Sequence, residues 1–355
     1  MTSETAIRFD RRRLITNAAA SVAVVIAAPA IIGSARAQSK SITLVTWGGT
    51  YADALKKHWS GPFTVETGIS VVLADGPDLA KLKAQTMMGR SEWDVVDAPG
   101  SMALTGTKEG YWAPIDRSIL KTDHLTAAKT DPDRVGMYFF TGGIAWNPHT
   151  HPDGKHPTTF EEYFDLQGFP GRRTFRARIS ETLEMALVAD GVSPKALYPL
   201  DIERGFRMLD KIKPSVTKWV EQTPQTVALL QNGEVDFTYT YLNRARAAQA
   251  SNLPIDFSLK QTLNGITYFT VPKASPNKIE AMQFIAFCLR PDRQAALMEE
   301  LSLIPNNPAA LPLLSAASKA WMPDLDGPNT VILNDEWWSS NFDALQRRFQ
   351  QWLLV

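Results

Sequence analysis

Cysteine is nearly missing: the 355-residue chain holds one, Cys288. A single thiol excludes a disulfide framework and a cysteine-ligated zinc site. It lies in the apolar stretch Phe284-Ile285-Ala286-Phe287-Cys288-Leu289 and reads as a small core residue. Surplus charge is missing as well, with 37 lysines and arginines against 37 aspartates and glutamates. The chain therefore lacks the basic excess of a nucleic-acid binder. Catalytic signatures are wanting. Ser101 follows Ala98-Pro99-Gly100 rather than standing in a G-x-S-x-G elbow, and there is no H-E-x-x-H. Neither the dinucleotide nor the Walker glycine spacing occurs, so no cofactor is expected and nothing demands an enzyme. Repeats and low-complexity tracts are lacking too. What remains is 44% apolar and 21% charged, the composition of a globular chain with a full core and a length of about two domains.

The first 37 residues read as an export tag. Arg11-Arg12-Arg13-Leu14-Ile15 precedes an apolar run from Ala18 to Ile32, and Ala35-Arg36-Ala37 offers small residues around a cleavage point. A charged start, an apolar middle and an A-x-A end describe a secretory signal. The paired arginines point to the twin-arginine variety. The competing reading is a membrane anchor, but the run is short and carries Ser21 and Pro29. Removal of 37 of the 355 residues leaves 318, with 32 basic and 35 acidic side chains, for a periplasmic protein with no stable membrane insertion.

The remainder alternates short apolar strands with amphipathic helices. Ile42–Thr46 is a β-branched strand, Tyr51, Leu55 and Trp59 recur at helical spacing, and Ile69–Leu73 is the next strand. Asp78 caps a helix over Leu79–Met88, and Asp94–Val96 is a third strand. This order predicts a parallel sheet with crossover helices. Further strands are expected over Thr174–Ile179, Glu234–Tyr241 and Tyr268–Val271. Helices are expected over Glu181–Ala189, Asp201–Lys211 and Ile279–Leu289. Trp146–Pro157 reads as a loop.

Several groups can carry chemistry. Trp47-Gly48-Gly49-Thr50-Tyr51 follows the first strand, at the carboxyl end where open α/β sheets bind ligands. Its glycines allow close approach and its aromatics a stacking or cation-holding face, or it is a tight turn over a core tryptophan. In Thr174–Ile179, Arg176 and Arg178 share one face and can meet a carboxylate or phosphate bidentately, or form a solvated edge. Glu181 follows at a helix start, where an acid is favoured whatever its role. Phe237, Tyr239 and Tyr241 share a strand face that is either core, a cleft wall or a ferric-iron site. His149, His151 and His156 lie close in a proline-rich loop, read as surface histidines, with capture of a transition metal as the alternative. No metal site is assigned.

Taken in order, these and other fragments resemble the spermidine/putrescine-type extracellular solute-binding proteins that feed ABC importers. The fragments are Trp47-Gly48-Gly49-Thr50-Tyr51, Glu66-Thr67-Gly68-Ile69, Trp93-Asp94-Val95-Val96, Gly142-Gly143-Ile144-Ala145-Trp146-Asn147, Pro157-Thr158-Thr159-Phe160, Phe169-Pro170-Gly171-Arg172-Arg173, Gly233-Glu234-Val235-Asp236, Leu263-Asn264-Gly265, Val271-Pro272-Lys273, Phe284-Ile285 and Leu289-Arg290-Pro291. The resemblance implies an α/β fold of two lobes, the type II-like periplasmic binding protein arrangement, with a ligand cleft between them and closure by hinge motion. It places lobe 1 at about 41–141 plus 267–309 and lobe 2 at about 142–266 plus 310–355. It also implies a monomer that hands a small molecule to an ABC permease. The implied cleft residues are Trp47, Gly48, Tyr51, Ser101, Arg178, Glu181, Tyr241, Thr267 and Tyr268. A periplasmic ferric-iron or other metal carrier is the alternative.

The departures from the resemblance bear on the ligand. Polyamine-binding members place a carboxylate just before the return strand, where Thr267 stands here, and another three positions before Glu181, where Arg178 stands. Only Glu181 remains of that acidic set. Burying a diamine without anionic partners costs several kcal/mol per charge. The expectation is a small amine-containing solute, polyamine-like or a zwitterion of the γ-aminobutyrate type. In the zwitterion case Glu181 meets the amine and Arg178 the carboxylate.

Overall fold

A computed structural model describes residues 40–126 and 131–355; the expected export tag lies outside these described residues. β1 (Ser41–Thr46) leads through a glycine turn into α1 (Thr50–Leu55), which continues by a π-turn into α2 (Gly61–Thr67). Tyr51, Leu55, Trp59 and Phe63 are buried along this helical run. Gly68, in the left-handed region at φ 74°, ends it. β2 (Ser70–Asp75) then lies parallel to β1. Asp78 accepts a hydrogen bond from the Lys81 N–H at 2.6 Å and starts α3 (Leu79–Met87), as its cap position predicts. β3 (Val95–Pro99) returns on the other side of β1 and runs straight into α4 (Gly100–Lys108).

The 13-residue β4 (Arg134–Trp146) carries the chain into its second half. There follow α5 (Phe160–Phe164), β5 (Arg173–Arg176), α6 (Ile179–Ala189), α7 (Ile202–Ile212), β6 (Val216–Val220), α8 (Pro224–Gln231), β7 (Phe237–Tyr241), α9 (Leu242–Ala250) and β8 (Asp256–Phe257). β9 (Thr262–Thr270) returns beside β4. The chain ends with α10 (Lys278–Cys288), α11 (Pro291–Leu301), β10 (Ile304–Pro305), α12 (Ala316–Lys319), β11 (Thr330–Ile332) and α13 (Asp335–Leu354).

One sheet runs through all of this in the order β2-β1-β3-β9-β4-β7-β5-β6, with β8 and β10 also pairing β4 and β11 pairing β9. Both ends are parallel, as the strand–helix alternation predicts. The centre is not: β9 is antiparallel to β3 and β4, and β4 to β7. Every residue of β9 is buried, so it lacks the alternation that marks a half-exposed strand. Sequence periodicity accordingly picks out only its end, Tyr268–Val271.

Two main apolar cores flank the crossing pair. One gathers Leu44, Trp59, Phe63, Met137, Phe269 and Phe284, and takes in the buried Cys288. The other gathers Ile144, Phe160, Leu183, Leu209, Tyr239, Trp338 and Phe349. β4 and β9 feed both. Two expectations need correction. The strand expected over Thr174–Ile179 stops at Arg176, because Arg178 is already the extended N-cap residue of α6. His156 is not a surface histidine: it is 7% exposed and stacks on Trp146 at 3.7 Å, since the loop folds back over the end of β4.

Candidate ligand-binding site

The strand ends converge on a cavity of about 160 Å³, room for on the order of ten waters and so for a small solute. β1 and α1 bring Trp47 and Tyr51, the start of α4 brings Ser101, β4 brings Tyr138 and Phe140, and β9 brings Ile266 and Thr267. From the other side come Arg176, Arg178 and Glu181, then Tyr241, Asn243 and Arg244 around the start of α9. Asp335 and Trp338 come from the first turn of α13. Trp47, 39% exposed, stands at the mouth.

The first wall rests on a buried acid. Asp97 on β3 is fully buried; its Oδ2 accepts hydrogen bonds from the Thr46 Oγ1 hydroxyl (2.6 Å) and the Tyr51 hydroxyl (2.7 Å). The Tyr51 hydroxyl also meets that of Tyr138. Burial pushes the Asp97 carboxyl up to about 7, against the two hydroxyls that favour the anion. The tyrosine ring positions are thereby set from behind the cavity.

The second wall is built around Glu181. Its backbone, at φ 74° and ψ −45°, occupies the rare γ-turn region of positive φ inside the first turn of α6. The turn swings its side chain onto β7. There the Tyr239 hydroxyl donates to Oε2 at 2.8 Å and the Tyr241 hydroxyl donates at 2.9 Å. Arg176 Nη1 donates to the Tyr241 hydroxyl at 2.6 Å. The strained peptide is held by Glu184, one turn later and fully buried, whose Oε2 accepts the Glu181 N–H at 2.8 Å. Oε1 of Glu184 accepts from the Tyr198 hydroxyl and from Trp338 Nε1 (2.6 Å), which ties α6 to α13. Burial raises the Glu184 carboxyl to about 7.

Three charged groups face the cavity with little to hold them. Arg178 donates Nε–H to Ser180 Oγ at 2.6 Å and lies over the Phe342 ring at 4.8 Å, but its two terminal nitrogens make no hydrogen bond among the described residues. Burial lowers its pKa, opposed by Glu181 and Tyr241. Arg244 and Asp335 line the cavity and likewise make no hydrogen bond among the described residues. Burial raises the Asp335 carboxyl to about 7, opposed by Arg134 and Arg178. That carboxyl abuts Gly100 so closely that a Cβ there would lie 1.9 Å from Oδ2. Beside it Lys108 bridges α4 to α13, reaching Glu336 at 3.0 Å and Ser339 Oγ at 2.8 Å.

Of the residues expected from the sequence, Trp47, Tyr51, Ser101, Arg178, Glu181, Tyr241 and Thr267 lie together in the lining. Gly48 and Tyr268 do not. Gly48 packs on the Asp75 carboxyl, and Tyr268 points to the opposite face of β9 from Thr267, under the Arg134 guanidinium at 5.5 Å. Sequence reading missed Asp335 and Arg244; Asp335 is an acid of the lining besides Glu181, the one that remains of the acidic set the resemblance implies. Asp335 begins the last helix, where an acid reads as a helix-start preference, so no local signal separates it from Glu336. The tyrosine stripe serves Glu181. Burial raises both phenols, the Glu181 charge adds to the rise and Arg176 opposes it, which disfavours the phenolate that ferric iron needs. Among the described residues no group of three His, Cys, Asp or Glu side chains is placed to hold a metal.

A mixed sheet with two cores and a charged cavity at the strand ends defines a two-lobed periplasmic-binding-protein fold. Residues 59–323 match the family model of bacterial extracellular solute-binding proteins, and the chain belongs to that family. It is 29% identical over 334 residues to a gamma-aminobutyric acid-binding protein of Pseudomonas aeruginosa PAO1, covering 91% of this chain and 94% of that one. It is 25% identical over 318 residues to a putrescine-binding periplasmic protein of P. aeruginosa UCBPP-PA14, covering 82% and 85%. An ABC transporter substrate-binding protein of Bradyrhizobium japonicum USDA 110 superposes with TM-score 0.82 at 30% identity, covering 88% of this chain and 99% of that one. The chain is thus the solute-binding component of an ABC importer, not an enzyme.

Proposed function

We propose that this solute-binding protein works in the periplasm, exported by its twin-arginine tag, as a monomer that delivers a small solute bearing a carboxylate and an amine to an ABC permease. Among the described residues no helix is long and apolar enough to cross a membrane. The lobes divide at about 41–141 plus 267–309 and 142–266 plus 310–355, a division that the two cores support except at Ala310 and Leu314, which pack in the first core. The relative named for γ-aminobutyrate supports the solute class.

The observation that carries the reading is Arg178, with two guanidinium nitrogens unused, in one lining with the acids Glu181 and Asp335, and Thr267 where the resemblance to diamine readers implies an acid. Asp335 provides a second acid and so favours a diamine, but Arg176, Arg178 and Arg244 outnumber Glu181 and Asp335. A dication would be buried among three guanidiniums, at a cost of several kcal/mol.

Thermal unfolding of the mature protein against γ-aminobutyrate, other amino acids, putrescine, spermidine, sugars and ferric citrate tests this. A ligand at a hundred times its Kd adds about 2.7 kcal/mol, or roughly 5 °C for a chain of this size. A shift with amino acids that is lost in Arg178→Ala is expected. A shift with polyamines alone overturns the reading.

A further inference from the structure

We infer that the solute carries a second carboxylate besides the amine, so that it is an aminodicarboxylate of net charge −1, with Arg244 reading the extra acid. This rests on the carboxylate-plus-amine reading of the same cavity and goes one group further.

The charges of the lining sort into a satisfied set and an unsatisfied one. Arg176 is spent: Nη1 donates to the Tyr241 hydroxyl at 2.6 Å, Nη2 to the Glu221 carbonyl at 3.3 Å and Nε to the Val220 carbonyl at 3.4 Å. Through Tyr241 that guanidinium neutralises Glu181, which already takes two phenol hydroxyls. One positive and one negative charge are closed off together.

Arg178, Arg244 and Asp335 remain. Arg178 has both terminal nitrogens open, Arg244 has its whole fork open, and Asp335 has both oxygens open among the described residues. A neutral amino acid pairs one guanidinium and the carboxylate, and leaves the other guanidinium half-buried beside Arg176 with no anion. A solute with two carboxylates and one ammonium pairs all three. Each guanidinium can take a carboxylate by two parallel N–H···O bonds, a geometry a lone hydroxyl or carbonyl cannot fill. Burial lowers the pKa of Arg244, in the direction an incoming anion would reverse.

Isothermal titration of the mature protein with L-glutamate and L-2-aminoadipate, with γ-aminobutyrate, with glutarate and with putrescine separates the possibilities. Wild type is expected to bind one of the aminodicarboxylates at least about tenfold more tightly than γ-aminobutyrate or glutarate. Arg244→Gln is expected to abolish that preference, and Arg244→Lys, which keeps the charge but not the fork, to restore part of it. Arg178→Ala is expected to weaken every carboxylate. Unchanged unfolding midpoints of the Arg244 variants show that the fold is intact. Binding of γ-aminobutyrate as tight as that of both aminodicarboxylates, or equal weakening of both classes by Arg244→Gln, overturns the second carboxylate and leaves the carboxylate-plus-amine reading standing. Binding of putrescine alone overturns that underlying reading.

Discussion

Replacing Glu184 by glutamine probes the buried acid that ties α6 to α13. Its side chain is fully buried and takes three donors: the Glu181 N–H, the Tyr198 hydroxyl and the Trp338 indole. Burial raises its pKa from 4.5 to about 7. A carboxyl whose folded pKa is raised keeps its proton in the native state after the unfolded chain has released it. It therefore costs stability as pH climbs from about 4.5 to about 7, by about 3 kcal/mol at 1.36 kcal/mol per pH unit. Asp97 and Asp335, also raised to about 7, add loss in the same direction and stay in the variant. Glutamine does not titrate, so the fall of the unfolding midpoint between pH 4.5 and pH 8 should be smaller by roughly 5 °C in Glu184→Gln. The variant also sets an amide N–H against the Glu181 N–H, which costs about 1–2 kcal/mol at every pH and frees the γ-turn that aims Glu181. Calorimetric midpoints across pH, with and without γ-aminobutyrate, measure both effects. Wild type and variant falling in parallel with pH would refute the argument that burial holds Glu184 protonated.

Gly100→Ala puts a methyl into the Asp335 carboxyl and should cost about 1–3 kcal/mol by urea denaturation as α4 is pushed off α13; an unchanged midpoint would show that the two helices part without cost. Lys108→Ala removes the bridge to Glu336 and Ser339; because the pair is exposed, stability should change by less than about 1 kcal/mol while solute dissociation quickens a few-fold in stopped-flow fluorescence. Trp59→Ala empties a fully buried site, loses the indole N–H bond to the Arg293 carbonyl at 2.9 Å and should cost about 3–5 kcal/mol by urea denaturation.

Much of the frame is legible locally. Asp78 announces a helix by a cap that needs only the next three residues, and Ile42–Thr46 announces a strand by β-branched composition. The Trp47–Tyr51 turn falls at a strand's carboxyl end, where the cavity opens. Arg178 and Glu181 stand out locally, as one of two arginines on a shared face and as an acid at a helix start, whereas Thr267 is found only by setting the chain beside a family resemblance and noting where it departs from that pattern. The γ-turn at Glu181 has no sequence signal, since the residue that forces it, Glu184, reads as an ordinary helix acid.

Sequence by itself determined the export tag reading, the parallel ends of the sheet, the single core cysteine and the absence of catalytic motifs, because each depends on composition or on neighbours within a few positions. Tertiary structure alone decided the rest: the antiparallel centre made by β4 and β9, the burial of Asp97, Glu184 and His156, and the meeting of Asp335 and Arg244 with Arg178. These pairs lie 66 or more positions apart in the chain. Whether an acid there is a solvated cap or an unpaired charge in a cavity depends on what the fold brings against it, which no local pattern records.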